Sequence, residues 1–159
     1  VPSNLPTDSD QVMVTETNID DQSAEITAWV VDQLFAVGAL DVFLTSILMK
    51  KGRPGTKITV LSSAERQGQI AQLLLQQTTT FGVRTYLATR QKLTRDFIQV
   101  TTPWGLVTAK RGFWEDKITK IIPEYEDCRR VAETHQIPLR TVYDAVRRQI
   151  SQDQAPATD

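Results

Sequence analysis

The chain is poor in the side chains that build soft metal cages and disulfides: it has one cysteine, Cys128, and one histidine, His135. A single cysteine excludes an internal disulfide and agrees with a cytoplasmic location, where thiols stay reduced. A tight zinc site draws several Cys and His ligands from the protein, so this chain cannot supply one by itself. Any metal it holds is expected to be a hard cation on carboxylates, hydroxyls and phosphates, or to bring soft ligands from a substrate or another domain. No Ser/His/Asp set is evident either, which argues against nucleophilic hydrolysis. No apolar run approaches the roughly 20 residues of a membrane helix. The first ten residues have no basic start and no apolar stretch, so they do not read as a signal peptide. Val1 in place of Met reads as a fragment or a processed chain.

Basic residues are missing altogether from positions 1–49, which hold eight acids: Asp8, Asp10, Glu16, Asp20, Asp21, Glu25, Asp32 and Asp41. Positions 50–159 carry all 18 Lys and Arg against 11 acids, a net of +7 inside a chain whose total is −1. Such a split is that of an acidic, cation-attracting part followed by a basic, anion-attracting one. At 159 residues and 40% hydrophobic content, the chain fits one ordinary globular domain with a small appendage.

Residues 1–10, polar with two prolines, read as a linker, and residues 151–159 as a flexible tail. Between them the pattern predicts a strand at 11–17, then a helix from an Ser23 cap to Val37, with Ile26, Val30, Leu34 and Val37 as its apolar stripe. Gly38 is placed to end that helix in a left-handed cap. Strands follow at 41–49 and 56–61, separated by a basic turn. Ser62 and Glu65 read as a capping box for a second helix reaching Gln77. A loop and a fourth strand at 83–90 complete a β-α-β-β-α-β order, that of a ferredoxin-like split βαβ sheet. Residues 91–150 are expected to add a β-hairpin and two helices, with Pro123 and Pro138 at the helix starts. The fold class is therefore α+β.

Four segments carry candidate chemistry. Glu16, Asn18, Asp20 and Asp21 crowd oxygen donors where a strand passes into a helix, which suits a hard cation that also holds phosphates. Lys50, Lys51 and Arg53 ride on a Gly-Pro-Gly turn that can face an oxyanion, although it is not a Walker A loop. Thr78, Thr79 and Thr80 with Arg84 offer hydroxyls and a guanidinium to a triphosphate. Tyr125 and Asp127 open a later helix, where Tyr125 is able to stack on a base, and Lys110 lies on a preceding strand. A fifth segment, 135–148, resembles the second half of a helix-turn-helix with Arg140, Arg147 and Arg148 outward. The slightly acidic total argues against nucleic-acid binding.

Taken in order, ETNIDD at 16–21, FAVGALDVFLTSILMKKGRPGTKITVL at 35–61, TTTFGVR at 78–84 and PEYEDCRRVA at 123–132 resemble the C-terminal region of the LarC family of nickel-insertion proteins. The resemblance implies a nickel chelatase (a lyase-type cyclometallase). Such an enzyme inserts Ni²⁺ into pyridinium-3,5-bisthiocarboxylic acid mononucleotide, making the nickel-pincer cofactor of lactate racemase. It also implies that this region, residues 11–150, binds CTP with Mg²⁺ or Mn²⁺. On that reading Glu16, Asp20 and Asp21 meet the metal on the nucleotide, and Lys50, Lys51, Arg53, Thr78, Thr79, Thr80 and Arg84 meet its phosphates. Asn18, Lys110, Tyr125 and Asp127 are secondary candidates. The substrate's thiocarboxylates would supply the soft nickel ligands that the chain lacks. The family's N-terminal region is absent here, so the piece is expected to bind nucleotide without inserting nickel alone. An open sheet edge invites a homo-oligomer. A non-catalytic nucleotide-binding regulatory module is the alternative.

Overall fold

The computed structural model describes residues 8–153. The linker expected at 1–10 and the tail expected at 151–159 lie outside this range except for 8–10 and 151–153. Those residues extend regular elements: the first strand, β1, is Asp8–Ile19, and the last helix runs to Asp153. The chain forms two compact units that divide at Arg90/Gln91.

The first unit, from Ser9 to Arg90, follows β1 with α1 (Ala24–Ala36), β2 (Asp41–Met49), β3 (Arg53–Ser62), α2 (Gln67–Gln77) and β4 (Arg84–Lys92). The sheet order is β2-β3-β1-β4, with β3 antiparallel to both neighbours. This is the split βαβ arrangement that the element order predicts. Side-chain contacts Asp10–Arg90, Thr15–Thr85 and Glu16–Arg84 tie β1 to β4, one number falling as the other rises, as in an antiparallel pair. One face of the sheet packs under the two helices through Ile19, Ile58 and Val60 against Val30, Leu34, Ile70 and Leu74. The stripe expected in α1 holds at three of its four positions: Val30 and Leu34 are fully buried and Val37 packs against the core, while Ile26 is 47% exposed.

Helix α1 starts at Ser23, whose hydroxyl accepts the Ile26 N–H, and ends as expected at Gly38 with φ +97°. There the Ala39 N–H reaches Leu34 O and the Gly38 N–H reaches Phe35 O, the two bonds of a Schellman motif. The start of α2 differs from the capping-box expectation. Ser62 is still in β3 with its hydroxyl buried, and a short 3-10 turn, Ala64–Arg66, precedes the helix. Ser63 takes the N-cap position of that turn without a side-chain cap bond, and a hydrogen bond from Ser63 is the first cause that holds Glu65 below the usual carboxylate range.

In the second unit the hairpin expected after residue 90 gains a third strand. β5 (Thr94–Thr102), β6 (Gly105–Trp114) and β7 (Lys117–Pro123) form an antiparallel sheet, followed by α3 (Tyr125–His135) and α4 (Leu139–Asp153). Pro123 therefore ends a strand, pairing with Ala109, and the helix begins two residues later. The core joins Val100, Val107 and Ala109 of the sheet to Cys128, Val131, Val142 and Val146 of the helices. Leu139 and Ile150 pack against it, so Leu139, Val142, Val146 and Ile150 form one inward stripe on the last helix. No described helix is long and apolar enough to cross a membrane.

Candidate functional site

Three of the four singled-out segments meet at one end of the first sheet. In the β1–β3 register Glu16 lies opposite Thr59 and Asn18 opposite Lys57, so their side chains share a face. Glu16 is buried, and both its oxygens are taken: Oε1 accepts from Lys57 Nζ at 3.1 Å and Thr59 Oγ1 at 3.2 Å, Oε2 from Arg84 Nε at 2.9 Å. Burial pushes this carboxyl up, but the hydrogen bonds from Arg84, Lys57 and Thr59 together outweigh it and hold the pKa below its ordinary value. A second nitrogen of Arg84 donates to Asn18 Oδ1 at 2.7 Å. The guanidinium is thus clamped at two points and half exposed.

Asp20 and Asp21 follow where β1 ends. Asp20 accepts from Arg53 at 3.3 Å, and Asp21 accepts from the Thr79 hydroxyl. Thr79 is fixed further by its backbone N–H, which donates to Gln22 Oε1 at 3.1 Å. Gly55 makes the Arg53 approach possible. A Cβ there would stand 2.8 Å from Ile19 O and 2.8 Å from Met49 Sδ, so only glycine lets β3 run this close to the end of β1. Lys50 and Lys51 are exposed in the 3-10 turn Lys50–Gly52, where Lys51 has φ +64°. Thr78 and Thr80 are spent on the chain turn: Thr78 Oγ1 donates to Leu74 O, and Thr80 Oγ1 bonds Gly82 O and lies against Thr17. Of the three threonines, Thr79 alone is bonded to one of the carboxylates.

Lys110, Tyr125 and Asp127 belong to the other unit. Lys110 pairs with Glu124 at 2.9 Å, and Tyr125 is half exposed. Asp127 joins α3 to β6: it accepts the Thr108 N–H at 2.9 Å and Arg130 at 3.0 Å, and bonding from the Thr108 side chain, then its N–H, then Arg130 holds the carboxyl down at about 2. Among the described residues no three Asp, Glu, His or Cys side chains cluster as a metal cage. Lys57, Thr59, Gln22 and Gly55 were not legible as site residues. Lys57 and Thr59 signal themselves only by standing two apart on a strand, at the spacing of Asn18 and Glu16. Arg140 of α4 faces Asp144 at 3.8 Å, Arg148 donates to Asp144 O, and Arg147 lies over the Tyr143 ring.

Against known proteins, the model of the nickel insertion protein family matches residues 2–143. A putative nickel insertion protein of Wolinella succinogenes is 44% identical over 87% of this chain and 35% of its own length. A pyridinium-3,5-bisthiocarboxylic acid mononucleotide nickel insertion protein of Clostridium acetobutylicum is 40% identical over 89% of this chain and 34% of its own. The chain thus spans about a third of the length of these relatives. A solved structure described as the C-terminal domain of a cyclometallase in the synthesis of the NPN cofactor of lactate racemase is also similar. It superposes with a TM-score of 0.84 at 43% identity, covering 91% of this chain and 99% of that one. Protein MK0293 of Methanopyrus kandleri shares the fold, with a TM-score of 0.65 at 22% identity. With the strand order, the ETNIDD edge and these likenesses in agreement, the chain belongs to the nickel insertion protein family.

Proposed function

We propose that this chain is the nucleotide-binding part of a nickel insertase, taking CTP with Mg²⁺ or Mn²⁺ while the pyridinium bisthiocarboxylate mononucleotide receives Ni²⁺. One observation carries the reading. Two neighbouring carboxylates, the partly buried Asp20 and the exposed Asp21, sit at the end of β1 against a guanidinium and a hydroxyl, with a second guanidinium, Arg84, clamped against β1 from β4. That donor set matches a hard cation riding on phosphates, which needs only one or two protein carboxylates.

The residues divide the work by their present partners. Glu16 and Asn18 fix Arg84, so its free edge meets phosphate with little ordering cost. Asp20 and Asp21 would hold the cation, which would leave Arg53 and Thr79 free to donate to phosphate oxygens. The Asp20–Arg53 pair is thereby exchanged for contacts of the same charge type, while Asp21 and Thr79 trade a charged–neutral bond for a cation and a phosphate oxygen, so no charge is left unpaired. Lys50 and Lys51, exposed in the turn before β3, add positive potential nearby. The thiocarboxylates of the mononucleotide supply soft donors for nickel. Insertion itself is assigned to the part of the relatives' length that this chain does not span, and the chain by itself is expected to bind nucleotide only.

Isothermal titration with Mg-CTP tests the assignment. Heat above buffer dilution, with Arg53→Ala and Thr79→Ala each weakening binding by about 1.5–3 kcal/mol for Arg53 and about 0.5–1.5 kcal/mol for the neutral hydroxyl, is the expected result. Dilution heat alone removes the nucleotide site.

A further inference from the structure

The three-stranded sheet of the second unit has its helices on one face. The register of its strands fixes what stands on the other. Arg95, Gly112 and Lys120 lie in one row across β5, β6 and β7, and Phe97, Lys110 and Ile122 in the next. Directly opposed residues of antiparallel strands project to the same side. A cavity of about 590 Å³ opens over these rows, lined by Lys92, Leu93, Arg95, Lys110, Gly112, Lys120 and Ile122 among others. That volume falls inside the roughly 300–1,000 Å³ of small-molecule sites.

The charges over this face are unbalanced. Several guanidinium groups elsewhere are matched by carboxylates: Arg111, on the same strand, forms a two-point pair with Asp96, Arg90 does so with Asp10, and Arg84 is held by Glu16. In the cavity Lys110 has Glu124, but Arg95 and Lys120 have no acidic partner among the described residues. Two such cations flanking a bare glycine leave a positive potential that an anion between them would neutralise. Gly112 is the floor. A Cβ there would meet Leu93 Cδ1 at 3.0 Å and Lys120 Cγ at 3.2 Å, so glycine keeps both side chains close. Leu93 and Ile122 give the cavity an apolar wall beside its cations.

We infer that this cavity binds an anionic, ring-bearing molecule of mononucleotide size. Within the proposed function, on which this assignment of occupant rests, the occupant is the pyridinium mononucleotide that receives nickel. Arg95 and Lys120 take its phosphate or carboxyl-type groups, and Leu93 and Ile122 lie against the ring. The chain then has two anion sites, one per unit, for the two anionic reactants.

The probe is nicotinic acid mononucleotide, which carries the same pyridinium ring with one carboxylate and the 5′-phosphate. Its binding to the 159-residue chain is followed by amide NMR at Gly112 and by titration, with inorganic phosphate and Mg-CTP as parallel ligands. The expected result is saturable binding that shifts Gly112, weakens about tenfold or more in the Arg95→Gln/Lys120→Gln double variant, and is unaffected by Arg53→Ala. Both substituted side chains are exposed, so the variant should keep the parent's thermal melt. Binding unchanged in the double variant overturns the site. Inorganic phosphate binding as tightly as the mononucleotide overturns the ring-bearing occupant. Mg-CTP affinity falling together with the mononucleotide's in the double variant overturns the separation of the two sites. Failure of Mg-CTP to bind at all would strike the first unit's assignment, and the Gly112 readout would still report on this one.

Discussion

Ser62 was read from the sequence as a helix cap, and its surroundings make it something else. Its hydroxyl is buried at the end of β3 with no hydrogen-bond partner among the described residues. An unpaired buried hydroxyl costs roughly 1–3 kcal/mol of desolvation. Ser62→Ala removes the cost along with the group, so the variant should be as stable as the parent or more stable by about 1 kcal/mol in urea titration. A loss of more than that would mean that the hydroxyl is satisfied in solution. Asp127 is the opposite case, a carboxylate whose bonds are all made. Its pKa falls from 3.8 to about 2 because Thr108 and Arg130 bond the charged form. A depressed carboxyl stabilises the fold fully above its unfolded value near 4, and the contribution is lost as pH falls through 2. Asp127→Asn should therefore cost on the order of 2 kcal/mol at pH 7, and the gap between the two proteins should close between about pH 4 and pH 2. A gap that persists at pH 2 would assign the effect to packing.

At the scale of the elements, helix ends give a sharp test. α3 closes with Gln136 at φ +51°, and the Ile137 N–H reaches Ala132 O at 3.0 Å, the Schellman bond that Gly38 supports in α1. A side chain in that conformation costs about 1 kcal/mol that glycine does not. Gln136→Gly should raise stability by about 0.5–1 kcal/mol, and an unchanged or lower denaturation midpoint would refute this account. The same elements show what could be read beforehand. Helices with a clear stripe, and Gly38 as terminator, were legible because 3.6-residue periodicity and a left-handed cap are local. β7 was not. Its solvent-side lysines, Lys117 and Lys120, break up the apolar run of Ile118, Ile121 and Ile122. The turn before it uses Glu115 and Asp116 at positive φ, where glycine or asparagine would have announced it. Pro123 then suggested a helix start, although a proline at the last position of an edge strand is equally allowed. In the candidate site the carboxylates and their cations were visible as residue types. The pairing was not, since nothing in a linear pattern says that Arg84 bonds Glu16, that Thr78 and Thr80 serve the turn, or that Gly55 makes room for the end of β1.

On the scale of the whole molecule, the two units carry separate cores, one under α1 and α2 and one under α3 and α4. Cys128 lies wholly inside the second, and burial, then the nearby Asp127 and Glu124 charges, push its thiol upward. A buried, protonated thiol reacts with a disulfide reagent only when its surroundings open. The thiol is therefore a reporter for the second unit alone. Val142→Ala, in that core, should destabilise it by about 1–3 kcal/mol and speed Cys128 labelling at least several-fold. Leu74→Ala, in the other core, should lower the stability of the first unit by about 2–5 kcal/mol, seen in circular dichroism melts, and leave the labelling rate near that of the parent. Equal acceleration by both substitutions would show one cooperative unit. The expected split fits the proposed division of labour, in which one unit would hold a nucleotide and the other a pyridinium mononucleotide. Each site can then be weakened, or filled, without dissolving the frame of its neighbour.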